Sequence, residues 1–174
     1  MMNLQEFTSA CSQLGQKFTT LDGEKLNPEL ENRMLKIEVG IERMLHWNNR
    51  LKYVELFTDF RNQKIDSNNF ADAFSYLHWE IVDKKKDTIE KLETKSNKNK
   101  NLEDEFVEIS KFLNEKSYSK IGSLLSELLI TCYSVTADEE IYNSAPDYYL
   151  NEETFPEKAF PIISKLEDLF SYSI

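Results

Sequence analysis

The spacing of its apolar residues limits the folds open to this chain more than any other feature of the sequence. Within residues 3–21 the apolar side chains follow one another in steps of three or four positions: Leu4, Phe7, Cys11, Leu14, Phe18 and Leu21. Steps of this length place side chains along one face of an α-helix. The same spacing recurs in residues 28–60, 67–92, 102–113, 121–132 and 157–170. No run of any length alternates apolar and polar residues as a half-buried strand does, so the sequence predicts an all-α protein.

Composition supports long helices. The 174 residues include only four glycines and four prolines, and 40% of them are hydrophobic, which suffices for a core. We expect a helical bundle of five to seven helices with an antiparallel four-helix core. Residues 50–174 would form this bundle, and residues 1–49 would add an N-terminal helical extension packed on it as part of one compact unit. A solvated linker is predicted at the Lys- and Asn-rich residues 95–101.

Negative charge is concentrated in one segment, residues 121–157. This segment holds eight of the 31 acids and none of the 21 bases, so the rest of the chain has 23 acids and 21 bases. It therefore carries −8 of the net charge of −10. Aromatic residues lie among the later acids: Tyr142, Tyr148, Tyr149 and Phe155. A base-free acidic segment with interleaved aromatics predicts a surface for a basic protein partner, and the alternative is a solvated loop that keeps the protein soluble.

The overall charge and the length of the apolar runs limit the expected partners and the expected location of the protein in the cell. An isoelectric point near 4.8 disfavours binding to nucleic acids or to anionic membranes, because both are themselves negatively charged. No apolar run reaches the length of a membrane span, and no basic start leads into an apolar block, so we expect a cytoplasmic protein. Cys11 and Cys132 both lie in apolar helical patterns, which predicts two buried free thiols.

The sequence contains no motif that we associate with catalysis or with a cofactor. It lacks a Gly-rich phosphate loop, a cysteine pair at zinc spacing, a Gly-x-Ser-x-Gly motif and a calcium loop. Glu42 and His46 are four residues apart, whereas a di-iron bundle requires Glu and His three apart in two copies. His78 belongs to no metal or dyad spacing. We therefore predict no enzyme activity, no metal and no cofactor, with both histidines serving the structure.

One partial motif leaves a catalytic alternative open. Arg61-Asn62 resembles the start of the Arg-Asn-x-x-x-His signature of the HEPN family of helical ribonucleases. In that signature the arginine stabilises a phosphate and the histidine acts as acid and base. Here Asp66 occupies the position of the histidine. The alternatives are a degenerate HEPN-like ribonuclease and an ordinary polar turn, and we favour the turn.

Two stretches of the chain carry a second resemblance. The first is a Phe-rich helical segment at 53–60 that leads, after a short turn, to a helix start at 65–70. The second is a Leu-rich segment at 124–133 that opens into the acids of 138–140 and then into a Leu-x-Glu-Glu helix start at 149–155. In this order they resemble the small bacterial immunity proteins of the colicin D type. That family consists of acidic four-helix bundles.

The resemblance implies a function. Immunity proteins of this kind plug the basic RNA-binding cleft of a toxin nuclease, and their carboxylates stand in for RNA phosphates. By position, the phosphate-mimicking acids would be Asp138, Glu139, Glu140, Glu152 and Glu153, with Asp147 in the connecting loop. The chain departs from the family in its extra residues 1–49, in the insertion at 95–101, and in Cys132-Tyr133-Ser134, where the family tends to have an Asp.

Charge and resemblance together predict a non-enzymatic, immunity-like inhibitor. Tyrosine rings beside the acids would supply rigid anchors, and carboxylates would pair with arginines of the partner. The candidate partner-binding residues are Asp138, Glu139, Glu140, Tyr142, Asp147, Tyr148, Tyr149, Glu152 and Glu153. An alternative is a helical scaffold protein whose apolar stripe in residues 28–60, including Met34 and Ile41, is exposed and pairs with another copy.

Overall fold

The structure, a computed structural model, describes residues 2–14, 27–136, 139–145 and 147–171. Eight helices and no strand occur in these ranges, which confirms the prediction of an all-α helical bundle. The helices are α1 (Leu4–Cys11), α2 (Pro28–Asn48), α3 (Arg50–Arg61), α4 (Ser67–Asn97), α5 (Glu103–Asn114), α6 (Lys116–Tyr133), α7 (Glu139–Ser144) and α8 (Thr154–Ser171). No helix within the described ranges is both long and apolar enough to cross a lipid bilayer.

The number of helices exceeds the predicted five to seven because of α7. This helix has six residues, fewer than two turns, so its sequence is too short to show an apolar period. The first helix begins at Leu4, the first residue of the predicted stripe, and the structure adds a capping box in which Asn3 and Glu6 bond each other's backbone N–H groups. It ends at Cys11, and the later residues of the predicted stripe, Phe18 and Leu21, lie outside the described residues.

Helix α4 extends further than the sequence suggests. Its last turn includes Lys95 and Ser96, which were predicted to belong to a solvated linker. The Ser96 hydroxyl is buried and donates to the Thr8 carbonyl at 2.8 Å, so packing on α1 continues the helix where propensity alone would end it. Only residues 98–101 of the predicted linker are exposed connection.

The chain divides into two compact units, Met1–Leu45 with Ile81–Tyr118, and His46–Glu80 with Ser119–Ile174. The first unit contains 16 acids and 14 bases, a net charge of −2. The second contains 15 acids and seven bases, a net charge of −8. Most of the negative charge of the protein therefore belongs to the second unit. The division at residues 49 and 50 expected from the sequence stays a prediction.

In the first unit the apolar stripe of α2 forms core. Four residues of this stripe are buried, Met34, Ile37, Ile41 and Met44, and the fifth, Leu30, is half-buried. The expectation that Met34 and Ile41 lie exposed for self-association is therefore wrong. Helix α2 approaches α5 closely at Gly40, where an added Cβ would lie 2.6 Å from Ile109 Cγ2 and 3.2 Å from the Ile109 carbonyl oxygen. Glycine at this position permits the two backbones to pack together.

The core of the second unit is aromatic. The Phe60 and Phe70 rings stack with centroids 4.4 Å apart, and Phe155 packs against both. Tyr53 is fully buried, and its hydroxyl lies 2.9 Å from Nδ1 of buried His46. This contact gives His46 the structural role that the sequence predicted, because each polar atom satisfies the other inside the core.

Both cysteines are buried free thiols, as predicted. Burial raises the pKa of the Cys11 thiol to about 12, and the nearby negative charge of Glu105 adds to the shift. Burial alone raises the pKa of the Cys132 thiol to about 12. The two thiols are therefore protonated and behave as small apolar side chains in the core.

Candidate partner-binding site

Within the acidic segment, the connection from residue 136 to residue 150 begins and ends at neighbouring positions. After α6, the Thr136 N–H donates to the Leu150 carbonyl at 2.8 Å, and the Leu150 N–H donates to the Ser134 carbonyl at 2.7 Å. These two bonds form an isolated parallel bridge between Val135 and Leu150. Leu150 is buried and anchors the bridge to the core. The ends of the intervening loop are thus fixed beside each other.

Beyond the bridge, Asn151 caps the start of α8. Its Oδ1 accepts the N–H groups of Glu153 at 3.1 Å and Thr154 at 2.9 Å, and the Thr154 hydroxyl accepts the Asn151 N–H at 3.0 Å. The Phe155 N–H donates to the Asn151 carbonyl, so helical hydrogen bonding starts at Asn151. Glu152 and Glu153 consequently lie at a helix N-terminus, where the partial positive charge of the helix stabilises carboxylates.

The Glu152 carboxylate also caps a different helix. Its two oxygens accept the backbone N–H of Ser67, the first residue of α4, at 2.9 Å and 3.0 Å. Asp66 caps the same helix by accepting the Asn69 N–H at 2.8 Å. Glu152 therefore has a structural role that the sequence did not show. A carboxylate bonded to backbone in this way has fewer lone pairs left for an arginine of a partner.

Four of the predicted site residues line one cleft of about 330 Å³: Glu139, Tyr142, Glu152 and Glu153. Glu139 and Tyr142 come from α7, where a spacing of three residues puts them on one face. Asn68, Thr136 and Asn151 complete the lining of the cleft. The structure thus joins the acids of α7 to those at the start of α8. This grouping is the candidate partner-binding site.

The other predicted residues lie outside the lining of this cleft. Glu140 is exposed on α7, and Asp147 and Tyr148 are exposed in the loop that follows it. Tyr149 is half-buried and packs edge-to-face on Tyr148, with ring centroids 5.3 Å apart. Asp138 lies outside the described residues.

Several of the predicted site acids have no basic side chain paired with them among the described residues. Within the described ranges, Glu139, Asp147 and Glu153 form no ion pair with a lysine, arginine or histidine. All three side chains belong to exposed residues. Exposed carboxylates without a positive neighbour keep their full charge available to a molecule arriving from solution.

Arg61, the residue of the partial HEPN signature, is held by contacts within the second unit. Its guanidinium donates to the Glu167 carboxylate at 2.9 Å and to the Ser164 hydroxyl at 2.7 Å, and it lies 5.2 Å from the Phe160 ring centroid. Asp66, at the histidine position of that signature, caps α4. Both residues therefore have structural roles that account for their presence at this turn.

The sequence reasoning overlooked an exposed aromatic pair. The Trp79 indole N–H donates to the Tyr133 hydroxyl at 3.1 Å, which joins α4 to α6 within the second unit. Tyr76 precedes Trp79 by three residues, Ile130 precedes Tyr133 by three, and all four side chains are exposed. These four side chains form the aromatic patch. A helical projection would have found them, because they lie off the buried stripes of their helices.

No group of His, Cys, Asp and Glu among the described residues has the geometry to hold a metal ion. Comparison with known proteins gives no further guide to the site. No protein-family model, curated protein or solved structure matches this chain.

Proposed function

We propose that this chain is a non-enzymatic inhibitor of the immunity type, which uses its acidic second unit to bind the basic cleft of a toxin nuclease. The observation that carries the proposal is the cleft in which Glu139 of α7 and Glu153 at the start of α8 come together. Carboxylates in such an arrangement can take the places of RNA phosphates among the arginines and lysines of a nuclease.

The charge of the second unit supports a basic partner. Its 15 acids and seven bases give a net charge of −8. A surface of this charge attracts a cationic protein over distances of about one Debye length, roughly 8–10 Å at physiological ionic strength. Attraction of this kind raises the rate of association and orients the partner before contact. Rapid capture suits an inhibitor that must act before a nuclease damages its host.

Local hydrogen bonds support tight binding once contact is made. Asn151 fixes the backbone at Glu153, and the bridge between Val135 and Leu150 fixes both ends of the loop that carries α7. Groups already held in place lose less conformational entropy on binding. Tyr142, half-buried in the cleft with Glu139, supplies an aromatic ring with few rotamers, as anchors in protein interfaces usually do.

A charge reversal tests the proposal. The probes are purified basic ribonuclease domains, among them one of the colicin D type, and the readouts are binding by calorimetry and inhibition of RNA cleavage. We expect saturable binding of the native chain to at least one domain, weaker at high salt. The double variant Glu139→Lys, Glu153→Lys should bind about tenfold or more weakly, because two attractive contacts become repulsive.

The matched control reverses two acids in the first unit. Glu103 and Asp104 are exposed in the first turn of α5, so Glu103→Lys with Asp104→Lys changes the net charge equally and disturbs a helix N-terminus in the same way. We expect this control to bind like the native chain. The proposal fails if none of the ribonuclease domains binds, or if the two double variants bind equally well.

A further inference from the structure

We infer that the aromatic patch is the apolar part of the surface to which the partner binds, and that the partner covers it with an apolar face bordered by lysine and arginine. The patch consists of Tyr76 and Trp79 on α4 and Ile130 and Tyr133 on α6. This inference rests on the proposed function, because it takes the partner to be basic.

The patch is continuous across two helices. Residues three apart on a helix are neighbours on its surface, so Tyr76 adjoins Trp79 and Ile130 adjoins Tyr133. The hydrogen bond of 3.1 Å between Trp79 and Tyr133 joins the two pairs. The four side chains are 75%, 53%, 67% and 56% exposed in chain order. Clustered exposed apolar side chains of this size mark interaction sites, whereas isolated ones are ordinary.

The hydrogen bond also prepares the two rings for burial. A tryptophan N–H or tyrosine O–H that loses water on binding needs another partner. The Tyr133 hydroxyl already accepts the Trp79 indole N–H, so a protein that covers both rings leaves that N–H paired and needs to supply an acceptor only for the Tyr133 O–H. The bond also restricts both side chains before binding, which lowers the entropy lost on association.

Acids at the border of the patch indicate the charge of the partner. Asp72 lies four residues before Tyr76 on α4, and Glu127 lies three residues before Ile130 on α6, and both are exposed. Tyr133 is followed directly by Ser134, whose carbonyl belongs to the bridge at the base of the acidic segment. A partner that covers the patch therefore meets one carboxylate beside it on each helix, and positive charge at the partner's border complements them.

The acids beside the patch also disfavour a second copy of this chain as the binding partner. Pairing two identical patches around a two-fold axis places the same surface on both sides of the interface. Asp72 and Glu127 of one copy would approach the acids of the other, in units that each carry −8. Like charges brought together in this way oppose association.

The chain contains its own reporter for a test. Trp79 is 53% exposed, whereas Trp47 is 9% exposed, and they are the only two tryptophans. The variant Trp47→Phe leaves Trp79 as the sole source of tryptophan fluorescence. The probe is a synthetic helical peptide of lysine and leucine with one apolar face, and its control is a peptide of the same composition scrambled so that no apolar face forms.

We expect the amphipathic peptide to shift the Trp79 emission to shorter wavelength and to bind about tenfold or more tightly than the scrambled peptide, because only it can cover the patch. Should Trp47→Phe fail to fold, the native chain and Trp79→Phe replace it. The shift must then appear in the native chain and vanish in the variant. Equal affinity for both peptides, or no shift, overturns the inference.

Substitutions in the patch test whether the amphipathic peptide binds there. Ile130→Ser combined with Tyr133→Ala should weaken binding of the amphipathic peptide about tenfold. The control Val107→Ser removes an apolar side chain of similar exposure from the first unit, since Val107 is 62% exposed and Ile130 is 67% exposed. This control should leave the affinity for the amphipathic peptide unchanged. Unchanged binding in the double variant overturns the inference, as does a dimer of the native chain that Ile130→Ser dissociates. Because the probe is a peptide, the two experiments can fail separately: a negative result with the ribonuclease domains contradicts the proposed function, and a negative result with the peptide contradicts the role of the patch.

Discussion

The carboxylate of Glu152 accepts the backbone N–H of Ser67, 85 residues earlier in the chain, at 2.9 Å and 3.0 Å. A residue of the acidic segment thus stabilises the start of α4, while its neighbour Glu153 faces the same cleft without an ion pair among the described residues. Of these two adjacent acids, Glu152 is bonded to the start of another helix, and mutation can compare what each contributes to stability.

Replacing Glu152 should destabilise the protein, whereas replacing Glu153 should not. Glu152→Ala leaves the Ser67 N–H without its charged acceptor, so we expect the free energy of unfolding to fall by about 1–3 kcal/mol. Glu152→Gln keeps one oxygen acceptor and should lose less. Glu153→Ala should change stability by less than about 0.5 kcal/mol. Urea unfolding followed by circular dichroism measures all three, and equal losses at 152 and 153 would contradict the assigned roles.

Alanine at two helical glycines should have opposite effects. At Gly40 the new Cβ would lie 2.6 Å from Ile109 Cγ2, so we expect a net loss of about 1–3 kcal/mol from overpacking despite the better helix propensity of alanine. At Gly122 in α6 nothing lies within 4 Å of the new Cβ, so Gly122→Ala should stabilise by about 0.5–1 kcal/mol. Thermal unfolding of both variants checks the prediction, which fails if the two shifts have the same sign.

Stability should decline in alkaline solution because of the buried thiols. Burial raises the pKa of Cys11 and Cys132 from 9.0 to about 12. Between these values the unfolded chain releases thiol protons that the folded chain retains, so the free energy of unfolding falls as pH rises. Each thiol contributes up to about 1.4 kcal/mol per pH unit in this range.

The variant Cys132→Ala isolates that contribution. Its urea unfolding, compared with that of the native chain from about pH 8 to pH 11, should show a shallower decline, because one of the two titrating thiols is gone. Other groups titrate equally in both proteins, so the difference between the slopes reports the thiol. Identical slopes would show that the Cys132 thiol ionises normally in the folded state.

Arg61 should contribute to stability and not to RNA cleavage. Arg61→Ala removes the contacts to Glu167 and Ser164 on a partly exposed surface, so we expect a loss of about 0.5–1.5 kcal/mol. A double-mutant cycle with Glu167→Ala should return a favourable coupling energy. Incubation of the native chain and of Arg61→Ala with RNA tests the ribonuclease alternative, and cleavage that depends on Arg61 would establish it.

The spacing of apolar residues predicted most of the helices, because a helix that buries one face carries apolar side chains every three or four residues along it. Helix α7 was missed since six residues carry no period, and the end of α4 was misplaced because contact between Ser96 and Thr8 cannot be read from neighbouring residues. The acidic segment was visible as a run of charge. The capping role of Glu152 was not, because its acceptor contact joins positions far apart in sequence.

The aromatic patch is a second feature that could not be predicted from the sequence. Trp79 and Tyr133 each stand out as large side chains off a buried stripe, but their pairing depends on how α4 and α6 pack. Sequence patterns report which face of a helix is buried, and they do not report which exposed faces adjoin one another.

The bridge between Val135 and Leu150 holds the two ends of the connection from residue 136 to residue 150 beside each other. Because the bonds of Thr136 and Leu150 already hold these ends together, we expect a change in the length of the connection to leave the helices on either side in place. Doubling the length of a flexible loop costs only about 0.6 kcal/mol in closure entropy. Insertions between these two ends should therefore cost little stability, while the helices on either side of the connection keep their positions.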